Sequence, residues 1–302
     1  MTAKSKNVAS VDDHRRQGML LLLGAAFFFS LMAVQVKLLG AQLPSTVIVL
    51  GRAIVTLVLS VFMLKRAGTP FLGQRRGLLL LRGVFGFIGL LCFFFAITKL
   101  PLAEASVLFS LNPVFTAVLA AIFLKEALRP SLMLALVVAF SGVLLVVRPA
   151  SLFGEWLGEA SDVVLDPYGV AACLVGSVAA ASAYTLVRKL RTTEDPLVIV
   201  FYFSFVATPA SLPFALQSWV WPDAKGWLLL LGVGLATQTA QVLMTKGIAS
   251  VPAGPATTVG YSQVAIATLW GVLFFDEVPT WGTAMGALLI ISALVGLAMK
   301  KT

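Results

Sequence analysis

Ten apolar stretches, each about twenty residues long, follow one another along the chain with little between them: 18–37, 45–64, 77–98, 102–124, 130–147, 168–187, 196–216, 226–246, 254–275 and 279–299. At 1.5 Å of rise per residue, a helix of about 20 apolar residues crosses the roughly 30 Å hydrocarbon layer of a bilayer. A soluble domain is about half apolar and a quarter charged. This chain is 59% hydrophobic and 12% charged, with a mean hydropathy of +0.98. The pattern predicts an all-α polytopic membrane protein of ten transmembrane helices, with the lipid bilayer as its partner.

The longest connection, 148–167, leaves no room for a separate soluble domain, so function must reside among the helices. Cys92 and Cys173 both fall inside spans, which excludes a disulfide framework, and two thiols alone make a poor metal site. No metal and no cofactor is expected. The net charge of +9 is a topology signal rather than a nucleic-acid footprint. Basic residues gather before the first span (Lys4, Lys6, Arg15, Arg16), between spans two and three (Lys65, Arg66, Arg75, Arg76), beside spans four and five (Lys125, Arg129), after span six (Arg188, Lys189, Arg191) and at the end (Lys300, Lys301). The alternate connections carry few, and the longest holds Glu155, Glu159, Asp162 and Asp166. The positive-inside bias then puts both termini in the cytoplasm of a multi-pass protein of the cell's inner (plasma) membrane. The first apolar run is too long for an ordinary signal sequence and reads as an uncleaved span.

An internal repeat runs through the chain at an offset of 151. Gly18 matches Gly169, Lys37 matches Arg188, Gly83 matches Gly234, Pro101 matches Pro252 and Glu126 matches Glu277. The units are a first repeat at 18–147, a loop at 148–167 and a second repeat at 168–299. Five spans is an odd number, so the second unit enters the membrane with opposite polarity. Inverted repeats recur in secondary transporters, with solute bound near the midplane where they meet.

Pro101-x-x-Glu104-Ala105-Ser106, then Asn112-Pro113-Val114-Phe115, then Phe123-Leu124-Lys125-Glu126, resembles the fourth-helix signature of the EamA-type transporters of the drug/metabolite transporter superfamily. The second half carries a degraded version, Pro252-Ala253-Gly254 and Phe274-Phe275-Asp276-Glu277, with Val264 in place of the proline. Arg52 and Gly142 also sit where such proteins have them. The resemblance implies two inverted five-helix repeats around a central cavity lined by helices one, three, four, six, eight and nine. It also implies export of amino acids or related small metabolites.

Polar side chains within spans face a bundle interior or a wet cavity. Candidates for solute contact are Ser30, Asn112, Tyr184, Gln238, Gln241, Tyr261, Ser262 and Gln263, with Phe85, Phe109 and Trp270 as aromatic walls. Arg52, roughly 10 Å deep by helical rise, reads as structural, as do Glu126 and Glu277 at helix ends. Pro113 is a candidate hinge or fixed kink. Gly282 and Gly286 form a G-x-x-x-G suited to close helix packing, within a bundle or between protomers. The thirteen acidic residues lie in tails, loops or span ends, and His14 is in a tail. Without a mid-membrane carboxylate or histidine to relay protons, the sequence favours a neutral or zwitterionic solute moved by facilitated diffusion. Purine, sugar or drug-like solutes, or a channel, are the alternatives. No H-E-x-x-H, G-x-S-x-G or paired carboxylates suggest an enzyme.

Overall fold

The computed structural model describes residues 3–123, 130–147, 165–250 and 262–299. Those residues form eleven helices: α1 (Ala3–Gly40), α2 (Ser45–Ala67), α3 (Arg76–Lys99), α4 (Leu102–Phe109), α5 (Asn112–Phe123), α6 (Pro130–Val147), α7 (Pro167–Leu190), α8 (Pro196–Gln217), α9 (Ala224–Ser250), α10 (Ser262–Phe275) and α11 (Trp281–Met299). Six are long and apolar enough to cross a membrane, within α1, α2, α3, α7, α8 and α9. The other expected crossings hold shorter apolar helices, and residues 124–129 and 251–261 lie outside the described parts. Helix starts follow local chemistry. Asp166 and Asp195 precede Pro167 and Pro196 and accept hydrogen bonds from Gly169 N and Leu197 N at 2.8 and 2.7 Å. This joins an acceptor at the cap to a residue that has no donor to waste. Gly68 ends α2 in the left-handed conformation, φ 65°, where a Cβ would be strained.

The fourth apolar stretch departs from expectation. It reads as one kinked helix in the sequence, yet it breaks at Ser110 and Leu111, so that Asn112 and Pro113 open a new helix. A proline in a first turn costs no bond within its own helix, because those N–H groups have no partner there. The carbonyl of Phe109, which Pro113 would leave without its helical donor, accepts from the Asn112 side-chain amide at 3.0 Å. The Ser177 hydroxyl of α7 lies 3.2 Å from the same oxygen. In a bilayer interior, where water does not substitute, this local repair is what makes the break tolerable.

The main helix packings cross between the two halves. α1 packs on α9, and α7 packs on α3; α2 packs on α8, and α6 on α11. Exchanging the halves carries this pattern into itself: first helix on third, third on first, second on second, fifth on fifth. Counterpart helices run antiparallel. Along α2 and α8, Thr46 meets Ser218 at 2.8 Å and Thr56 meets Ser204 at 2.9 Å. Small residues set these distances, as close packing in lipid requires. A Cβ on Gly83 would stand 2.6 Å from Val206, and one on Gly234 would run into Val55. Val55 and Val206 are themselves 151 apart, so the sequence offset reappears as a pair of equivalent contacts. Gly142 and Gly286 bring α6 and α11 together, each placing a Cβ against the other's carbonyl oxygen, at 2.7 and 2.5 Å.

Candidate functional site

Two arginines occupy the interior where the halves meet. Arg52 of α2 is 1% exposed and Arg82 of α3 is 2% exposed. Arg52 lies seven residues into its helix and Arg82 six into the next, so their stems leave opposite ends of antiparallel neighbours and converge. Their guanidinium carbons lie 4.9 and 4.6 Å from the centroid of one ring, that of Phe203 in α8. Arg52 also lies 5.9 Å from the Phe94 ring. Arg52 and Phe203 are repeat counterparts, 151 apart. A residue touches its own counterpart only where the exchange axis passes, so this cluster marks the centre of the bundle.

The hydrogen bonding there is incomplete. Arg52 Nε donates to Thr237 Oγ1 at 3.0 Å, and Arg82 Nη2 reaches Gln241 Oε1 at 3.4 Å, which is long for such a bond. Among the described residues, the buried Arg52 Nη1, Arg82 Nε and Arg82 Nη1 have no partner. No carboxylate makes an ion pair with either arginine among the described residues; the ion pair found there joins Lys37 and Glu277. Lying 4.9 and 4.6 Å from one centroid, the two guanidinium carbons stand at most 9.5 Å apart. Two like charges within that distance repel by roughly 1.7 kcal/mol or more at an effective dielectric of about 20. Contact with an aromatic face offsets about 0.5–2 kcal/mol per cation. Among the described residues the arginines are thus held by aromatic rings, a hydroxyl and an amide rather than by counter-charges. Arg52 stays in the interior, bonded to a neighbouring helix through Thr237.

The expected solute contacts scatter around this centre. Gln241 touches Arg82, and Tyr184 is half-buried in α7. Gln238 is turned to α2, exchanging bonds with Ser60 at 3.0 and 3.3 Å. Ser30, fully buried, donates to Phe27 O and accepts from Trp270 Nε1 at 3.1 Å, which joins α1 to α10. Phe109 packs on Phe93 with centroids 4.2 Å apart. Phe85, Ser262 and Gln263 are half-buried, and Asn112 spends its donor on its own helix break. Tyr261 and Glu126 lie outside the described residues, while Pro113 is placed only by its helix. Gly282 is buried in α11 beside Thr283, whose hydroxyl donates to the buried Glu104 at 2.8 Å. Arg82 is the residue sequence reading passed over. It follows Arg75 and Arg76 closely enough to look like part of a basic flank, although its depth matches that of Arg52.

One end of the bundle is latched. Lys37, closing α1, pairs with Glu277, donates to Leu100 O at 3.0 Å and stands 5.2 Å from the Phe275 ring. Glu277 Oε2 also accepts from Leu102 N at 2.8 Å, so three elements meet at one carboxylate. Elsewhere, Glu194 accepts from Gln74 N and Arg75 N at 2.9 and 2.5 Å and ties the α2–α3 turn to the α7–α8 turn.

An all-helical, multi-pass bundle of two interleaved halves, with its unpaired polar groups at the centre, defines a membrane transporter. The chain belongs to the EamA-like transporter family, whose model matches it twice, over residues 16–148 and 167–299. It is 33% identical to the pseudopaline exporter CntI of Pseudomonas aeruginosa strain UCBPP-PA14, over 96% of this chain and 98% of that protein. It is 30% identical to solute carrier family 35 member G1 of Homo sapiens, over 94% of this chain and 79% of that one. A solved crystal structure shares the fold with a TM-score of 0.66 at 18% identity, covering 94% of this chain and 98% of its own.

Proposed function

We propose that the chain is an alternating-access exporter of amino acids or related small metabolites, working as two inverted five-helix repeats, 18–147 and 168–299, in the plasma membrane with both termini cytoplasmic. The observation that carries this reading is the exchange pattern, in which counterpart helices run antiparallel and a buried polar centre lies on the exchange axis. Two similar bundles in opposite orientation supply two similar gates about one site. Gln241, Tyr184 and the arginine pair offer the solute donors and acceptors there; Gln238, Asn112, Ser30 and Gln263, with Phe85, Phe109 and Trp270, form the surrounding walls. The relative named as an exporter supports the outward direction.

The latch supplies the gate. Under the 151 offset, Lys37 and Glu277 correspond in sequence to Arg188 and Glu126. Parting of Lys37 from Glu277 opens this end of the bundle. Reconstituted counterflow against a panel of amino acids, purines and sugars tests the function. The expected result is saturable exchange of an amino-acid-like solute; flux that does not saturate and shows no counterflow would mean a pore. Charge reversal at one gate (Lys37→Glu) should abolish exchange, and the swap Lys37→Glu with Glu277→Lys should restore part of it.

A further inference from the structure

We propose that Arg52 and Arg82 form a paired-guanidinium site for the carboxylates of the transported solute, and that the preferred solute carries two of them. The inference rests on the transporter reading and names the substrate class of its central site.

The argument starts from donors. Each guanidinium carries five N–H groups in a planar fork and no acceptor, and one fork matches one carboxylate through two parallel bonds. A purely structural arginine in a membrane interior is normally paired with a carboxylate or with backbone carbonyls. Here three buried guanidinium nitrogens have no partner among the described residues, and they belong to two cations that share one aromatic ring. The bonds that do exist go to a hydroxyl and a side-chain amide, Thr237 and Gln241. Those groups orient a guanidinium without neutralising it.

Position adds a second, independent reason. Arg52 meets its repeat counterpart Phe203, so the pair stands on the exchange axis, where a site is equally distant from two symmetry-related gates. Both arginines lie near the N-terminal ends of their helices, and because α2 and α3 are antiparallel, one cation is rooted towards each face of the bundle. The buried carboxylates of the described residues, Glu104 and Glu194, have partners of their own in Thr283 and in the Gln74 and Arg75 amides. A solute with one carboxylate leaves one cation unmatched; a solute with two matches both.

The test uses the purified full chain in lipid nanodiscs at fixed ionic strength. Thermal unfolding is followed while succinate, glutarate or adipate is added, against glutaramide as the uncharged isostere and inorganic phosphate as a compact oxyanion. At least one dicarboxylate should raise the midpoint in a saturable way, with glutaramide having no effect. Arg52→Gln and Arg82→Gln should each weaken that dicarboxylate about tenfold or more, the loss of one charge-assisted partner. Stabilisation by glutaramide as large as by glutarate, or by phosphate with none from any dicarboxylate, overturns the proposal. So does unchanged dicarboxylate affinity in both variants. Because the isostere comparison uses the unaltered protein, it decides even if a variant fails to fold. Counterflow separates the two readings. Exchange of an uncharged solute that survives in both variants sinks the carboxylate site and leaves the transporter. Dicarboxylate binding in a protein that exchanges nothing does the reverse.

Discussion

Asn112 and Pro113 act as a unit: the ring removes the donor that Phe109 O would have had, and the neighbouring amide supplies another at 3.0 Å. Asn112→Ala should therefore lower the thermal midpoint, with about 0.5–1.5 kcal/mol lost for one hydrogen bond, since the Ser177 hydroxyl stays beside Phe109 O. Adding Pro113→Ala to that variant restores a backbone N–H at the position that bonds back to Phe109. The double variant should unfold at a higher temperature than Asn112→Ala alone, and equal midpoints would refute the pairing. From sequence, Asn112 reads as a solute ligand because an amide at membrane depth needs a partner. That the partner is its own helix break depends on where the helix breaks, which propensity does not encode. Arg82 was obscure for a related reason: depth in a membrane is set by the tertiary position of the helix end, and three arginines within eight residues read as one flank.

Most helix starts were legible, because apolar run length is a local quantity; the extension of α1 back to Ala3 and the break in the fourth stretch were not. The repeat was legible too, and its Gly83–Gly234 match recurs as two equivalent close contacts with Val206 and Val55. Choice of partner helix was not. In lipid both the packed and the free faces of a helix are apolar, so periodicity carries little of the signal that marks a core in a soluble protein. Small residues are the remaining clue, and they test the packing directly. Gly142→Leu or Gly286→Leu should force α6 and α11 apart and lower the unfolding temperature by several degrees. Gly77, with open space around its Cα, should accept alanine without loss. In a background without Cys92 and Cys173, a Thr46→Cys, Ser218→Cys protein should cross-link with a short bifunctional reagent. Failure to do so would refute the antiparallel α2–α8 pairing.

For the whole molecule, a carrier whose solute is a net anion needs no proton relay to run outward. An inside-negative membrane contributes about 2.3 kcal/mol per exported negative charge at 100 mV. In liposomes loaded with the dicarboxylate that binds most tightly, a potassium diffusion potential, negative inside, should speed efflux several-fold. A pH gradient imposed without a potential should not; flux that follows the pH gradient alone would mean proton coupling. The interleaving of the halves also governs how the protein is made. Contacts such as Gly24 with Leu243 join residues more than 200 positions apart, and the first five helices find their principal partners among the last five. While the ribosome is still delivering the second half, the glycine-lined faces of α1, α3 and α6 stand against lipid with nothing to grip. Insertion and folding are therefore separate events in time. A chain stopped near residue 150 should be cleared by membrane proteases, and both halves supplied as separate polypeptides should rescue each other.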